Sequence, residues 1–216
     1  MLVLPPGPSN VAMKHATVLV VLVSLILTAC SSTESKQSVS DWGDNPLENP
    51  EFMEANLAYM TPGEEHAKLA AHAGSWNVRT KMFMTVDAEA VEMDATADSE
   101  MVLGGRFLVE EYHGTLMGEP FDGLLIVGFN KLTTEYFSVW MDTWGTAFHT
   151  ARGSENGDGA IAMAGKIHDV LTPEGRTYRH VLREAGSGYV VELYDTLPDG
   201  TEWMVMEMTY TRRPAE

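Results

Sequence analysis

The sequence predicts a mainly β protein, a single antiparallel up-and-down barrel of about ten strands preceded by two short N-terminal helices. Three observations carry that expectation. From Trp76 to the end, apolar and polar residues alternate with a period of two, as in strands with one covered face. Turn-forming clusters break the alternation at intervals of roughly 8–14 residues, the rhythm of an all-β meander. No helix-length segment interrupts the series, so successive strands join by tight turns. With about ten strands, closure removes the exposed edges that an open sheet would leave.

The N-terminal region reads differently. MLVLPPGPSN is rich in Pro and Gly and lacks a basic residue, whereas Met13 begins MKHATVLVVLVSLILTAC. A basic start, an apolar run and small residues before a cysteine are the layout of a secretory signal peptide. The run from Ala16 to Leu27 is shorter than the roughly 20 apolar residues a spanning helix needs. Leu27-Thr28-Ala29-Cys30 resembles the bacterial lipobox, which implies cleavage before Cys30 and a membrane anchor through lipid on its sulfur. Ser31 stands where Asp would signal inner-membrane retention, so the resemblance favours the outer membrane, facing the periplasm. The expected organisation is a signal peptide over 1–29, with translation starting at Met13, a lipidated tether over 30–48 and a barrel domain over 49–216.

Removing residues 1–29, with their one lysine and no acid, takes the net charge from −17 to −18 and leaves 187 residues, enough for one domain and a tether. Such acidity argues against nucleic acid and anionic membrane surfaces as partners, since both are negative. Cys30 is the single cysteine, so the domain has no disulfide and its fold rests on its core.

Within the domain, Asn49-Pro50 supplies an N-cap and a first-turn proline for a helix over EFMEANLAYM. Thr61 with Glu64 three residues on suggests a capping box for a second helix, through EEHAKLAAHA to Gly74. Strands are expected at about 75–86, 90–102, 106–115, 121–129, 134–142, 147–154, 160–167, 176–184, 188–196 and 202–212. Turns such as Gly104-Gly105, Asn156-Gly157-Asp158-Gly159 and Pro198-Asp199-Gly200 separate them.

A helix, Gly74-Ser75-Trp76 on the first strand and a meander ending in Thr211-Arg212-Arg213 are similar to the calycin superfamily of lipocalin-like barrels. The resemblance implies barrel closure by Gly74, Trp76 and Arg212, with the guanidinium over the indole, a contact worth up to about 2 kcal/mol. A longer set resembles the domain-of-unknown-function 1579 family over about residues 50–213. It comprises Pro62-Gly63-Glu64-Glu65-His66, Leu103-Gly104-Gly105-Arg106-Phe107, Gly118-Glu119-Pro120-Phe121-Asp122-Gly123, Gly128-Phe129-Asn130, Trp140-Met141-Asp142 and Glu207-Met208-Thr209-Tyr210-Thr211-Arg212. Asn130 departs from the Asp expected there, keeping the turn geometry and losing a charge. The resemblance implies a fold and no reaction.

Alternation leaves the inward set open, because each strand carries polar residues on both faces. On one strand Arg106, Leu108, Glu110 and Tyr112 oppose Phe107, Val109, Glu111 and His113; on the last, Met206, Met208 and Tyr210 oppose Val205, Glu207 and Thr209. The candidate ligand-binding set is Arg106, Tyr112, Trp140, Asp142 and Glu207: an Arg fork facing carboxylates for a polar head, with Trp and Met as an apolar body. The competing reading makes Arg106, Asp142 and Glu207 an inter-strand ion-pair network, with Trp140 as core. His66 and His72 are six apart on a helix, and His113, His149, His168 and His180 sit on separate strands, so no metal site is expected. His149 is a candidate axial ligand for a haem-type barrel, less favoured than an exposed or core histidine, and no cofactor is expected. There is no Gly-x-Ser-x-Gly elbow and no phosphate-cradling glycine loop.

The leading expectation is a non-catalytic barrel holding a small amphipathic molecule, anchored to the membrane through Cys30. The alternatives are an enzyme using Asp142 or Glu207 as general acid or base beside Arg106, and a structural or protein-interaction barrel. Ligand identity and oligomeric state are open at this stage.

Overall fold

The structure, a computed structural model, describes residues 45–170 and 172–214. The expected signal peptide, Cys30 and the expected tether up to residue 44 lie outside the described residues. Among the described residues no helix is long and apolar enough to cross a membrane.

A short 3₁₀ turn, Pro46–Glu48, leads into α1 (Pro50–Met60). Asn49 caps α1 as its residue type predicts: Oδ1 accepts from the Glu51 and Phe52 amides at 2.9 and 3.2 Å. No residue of α1 is buried. Its C-terminal carbonyls are instead met by cations, Lys131 Nζ on Ala58 and Thr61 (2.6 and 3.0 Å) and Arg106 Nη2 on Met60 (2.5 Å).

The second helix, α2 (Glu64–Ala70), is shorter than the sequence suggests and differently capped. Thr61 closes α1, its hydroxyl donating to Leu57 O at 2.7 Å, and Gly63 takes the N-cap position. His66 Nδ1 accepts from the Gly63 amide at 3.1 Å, the role expected of Glu64. After Ala70 the chain tightens into i→i+3 turns at Ala71, His72 and Ala73, presenting their carbonyls to the barrel.

Ten antiparallel strands close the barrel in sequence order, with the last pairing onto the first. They are β1 (Gly74–Met82), β2 (Val91–Val102), β3 (Phe107–Leu116), β4 (Glu119–Asn130), β5 (Glu135–Asp142), β6 (His149–Glu155), β7 (Ile161–Ile167), β8 (Arg176–Ala185), β9 (Gly188–Thr196) and β10 (Glu202–Arg212). The β1–β10 register sets Trp76 opposite Arg212. A register shift at Met204/Met206 in β10 breaks the alternation there. Tight turns follow their residue types: Asn156 Oδ1 accepts from the Asp158 and Ala160 amides at 3.0 Å each.

Candidate binding cavity

One end of the barrel is built shut. The Trp76 indole is 1% exposed, donates from Nε1 to His72 O at 3.0 Å and meets Tyr189 edge-on at 4.9 Å. The Arg212 guanidinium lies 4.4 Å from the Trp76 ring centroid and donates to the carbonyls of Ala73 (3.1 Å) and Ala71 (3.0 Å). That seat explains Gly74. Its φ is +136°, and a Cβ there would stand 2.4 Å from Arg212 Nη1.

Above this floor lies a cavity of about 390 Å³, within the range of small-molecule sites. Leu108, Leu125, Val127, Ile161, Met163, Val191 and Met208 form most of its wall. Trp144, 53% exposed, also lines it, so the cavity reaches the surface at the end opposite α2. Met84, Val86, Phe148 and Val170 are also exposed, on the loops of that same end.

The sequence and the geometry meet in one comparison. The family model for the protein of unknown function DUF1579 matches residues 61–212, which take in α2 and all ten strands and leave out α1. The chain belongs to the DUF1579 family. Comparison with curated proteins gives no match.

Of the five residues the sequence singles out in this DUF1579 barrel, three share the cavity. Tyr112 lines it and its hydroxyl lies 3.3 Å from Thr80 Oγ1. Trp140 lines it too, with Nε1 donating to Asp142 Oδ2 at 2.7 Å, while Asp142 Oδ1 accepts from the Trp144 amide at 2.9 Å. Gly123 gives the indole its room, since a Cβ there would fall 2.2 Å from Trp140 Cη2.

Arg106 and Glu207 are not brought to them. Arg106 stands just before β3 and spends its guanidinium on the carbonyls of Leu103, Gly104 and Met60. Glu207 faces outward from β10 and accepts from Lys81 Nζ at 2.8 Å. The Arg106–Asp142–Glu207 constellation therefore does not assemble, either as a ligand fork or as an inter-strand network. Two causes are plain. Arg106 lies in the turn, outside the ladder that begins at Phe107, and Glu207 alternates with inward Met206 and Met208.

The groups at the floor are ones that the sequence reading passes over. Glu110, 2% exposed, accepts from Ser99 Oγ (2.9 Å), Tyr210 Oη (3.0 Å) and Tyr189 Oη (3.3 Å). Burial pushes its carboxyl above the ordinary range, and the three hydroxyls pull part of the way back. The same burial raises the Tyr189 and Tyr210 phenols. On the opposite wall His180 is pushed down to about 4 by burial and lies tilted 6.0 Å from Tyr178. The candidate axial ligand His149 lines the cavity with Nδ1 buried and unpaired. Among the described residues no cluster of three metal-ligating side chains occurs.

Proposed function

We propose that this chain is a lipid-anchored envelope protein whose barrel holds a small, largely apolar amphiphile and performs no chemistry on it. The observation that carries the reading is the cavity of about 390 Å³, apolar through most of its wall and reaching the surface at Trp144. A packed barrel would fill that volume with side chains. The few polar groups inside are of the kind that orient a ligand rather than transform it. A catalytic role for Glu207 beside Arg106 has no site to act in, because both point away from the interior.

The anchor rests on the sequence Leu27-Thr28-Ala29-Cys30 and its preceding apolar run. The likeness to calycins is supported by the ten-strand meander and by Arg212 over Trp76. A lipid on Cys30 would hold the domain beside a membrane, where an apolar mouth is well placed to exchange an apolar cargo.

Titration with the neutral fluorophore N-phenyl-1-naphthylamine tests the cavity. Saturable binding with enhanced emission is expected, with roughly tenfold weaker binding by Leu125→Trp, whose indole fills the space. Absence of saturation, or equal binding by a folded Leu125→Trp variant, overturns the reading. Mass spectrometry of the membrane-extracted protein tests the anchor. The expected N-terminal peptide begins at acylated Cys30, and an unmodified cysteine removes the anchor from the account.

A further inference from the structure

Resting on the cavity reading, we infer that the ligand's polar end is cationic, an amine or quaternary ammonium seated at Glu110, and that anionic amphiphiles are excluded. The charges that face the interior are mostly negative. Glu110, Asp142 and Asp195 line the cavity, against one guanidinium, Arg176, and no lysine. The Arg176 charge is already met by two carboxylates, with Nε on Asp195 at 2.6 Å and Nη1 on Asp169 and on Thr172 Oγ1 at 2.9 Å, which leaves Nη2 as its one nitrogen outside these bonds. A carboxylate or phosphate headgroup would therefore enter a chamber of net negative charge, in which the one guanidinium is already neutralised by two carboxylates. Unpaired charge in such a place is among the costliest things a site can accept.

Glu110 is the reverse case. It is a carboxyl sunk in a mostly apolar floor whose three partners are all neutral hydroxyls. Oε1 accepts only from Tyr210, so that oxygen keeps acceptor capacity. A structural carboxyl of this depth would ordinarily be matched by Arg or Lys, and among the described residues none is bonded to it. Arg212, at the same end of the barrel, has its guanidinium committed to the carbonyls of Ala71 and Ala73.

The walls suit the same chemistry. Tyr112 and Trp140 meet edge-on at 6.1 Å, and Tyr189 stacks on Tyr210 at 4.2 Å, so ring faces and phenol oxygens surround the floor. Ammonium groups favour aromatic faces, and favour them more when water is excluded. His180 adds a neutral imidazole with no hydrogen bond among the described residues, an acceptor that does not repel a cation. The charge of the whole chain, −17, draws cations toward the mouth from a distance.

The test is a chain-matched series, decylamine, decanol and decanoate, displacing N-phenyl-1-naphthylamine from the full chain carrying Cys30→Ser near neutral pH. Decylamine is expected to displace the probe at a concentration at least about tenfold lower than decanoate. Glu110→Gln should bring decylamine to the level of decanol measured on the same variant. Decanoate binding as well as decylamine overturns the inference on the wild-type residue alone, even if the variant does not fold. So does an amine preference that survives Glu110→Gln. Displacement by decanol with no amine preference, or failure of all three competitors to displace a saturably bound probe, overturns this inference and leaves the cavity reading standing; absence of saturable probe binding removes both.

Discussion

The two ends of this barrel are built on opposite terms. At the closed end, large aromatic side chains are buried and their polar atoms are engaged: Trp76 Nε1 on His72 O, the Arg212 fork on two carbonyls, Tyr189 and Tyr210 on Glu110. At the open end the large apolar groups face solvent. Phe148 is 65% exposed and Val170 96% exposed. Covering an indole and pairing its N–H contributes to stability, whereas leaving apolar surface uncovered contributes none. The contrast teaches where this fold stores its stability and which end it leaves uncovered.

The largest effect expected from that contrast is at Trp76. Trp76→Ala removes the indole from between Arg212 and Tyr189 and leaves a hole at the floor, which costs about 3–5 kcal/mol. Urea unfolding of the variant should show that loss as a lower midpoint. If Trp76→Ala does not fold, Trp76→Phe, which loses the bond to His72 O, should still unfold measurably earlier than wild type. A Trp76 variant as stable as the wild type would show that the floor is not where the stability lies.

The second prediction concerns pH and the cavity wall between the two ends. Burial lowers His180 from its ordinary 6.5 to about 4, so the unfolded chain takes up a proton that the folded one refuses. Stability is then full above pH 6.5 and declines as pH falls toward 4, by up to roughly 3 kcal/mol at 1.36 kcal/mol per pH unit. Glu110 acts with the opposite sign. Its folded carboxyl holds a proton above the ordinary 4.5, so protonation there favours the folded state as pH falls into that window. His66 and His72 are also lowered by burial and share the direction of His180. His180→Leu should flatten the acid limb of a stability–pH profile; an unchanged slope would mean that His180 is not kept neutral by the fold.

How much of this was legible beforehand is a matter of register. The barrel, its ten strands and the Asn49 cap follow from local pattern, because alternation and turn chemistry are properties of a few adjacent residues. Which face points inward is not local. In the ladder Trp76 faces Ala97, Ala97 faces Tyr112, Tyr112 faces Gly123 and Gly123 faces Asp142, so one inward indole orients four strands beyond its own. Followed across the sheet, that chain of partners puts Glu110 inside with Tyr112, two residues along the same strand. It could be followed only with every turn length known to the residue. Arg106 shares the parity of Glu110 and Tyr112, but the turn ends after it, and parity has no meaning outside the ladder. The β10 irregularity at Met204/Met206 likewise has no signature in a run of alternating methionines.

The smallest effect on stability, and the sharpest on function, is expected at the mouth. Trp144→Ser with Phe148→Ser replaces two exposed aromatic side chains by polar ones, away from the covered floor and its hydrogen bonds. Surface changes of this kind alter folding stability by no more than about 0.5 kcal/mol. Stopped-flow mixing with N-phenyl-1-naphthylamine should nonetheless show slower association, because the first apolar contact on the way into the cavity is gone. If the double variant loses several kcal/mol, the rim is part of the core and the two ends are alike after all. If it keeps both its stability and its association rate, the apolar rim serves neither the fold nor the cavity, and its purpose lies with a surface that covers it.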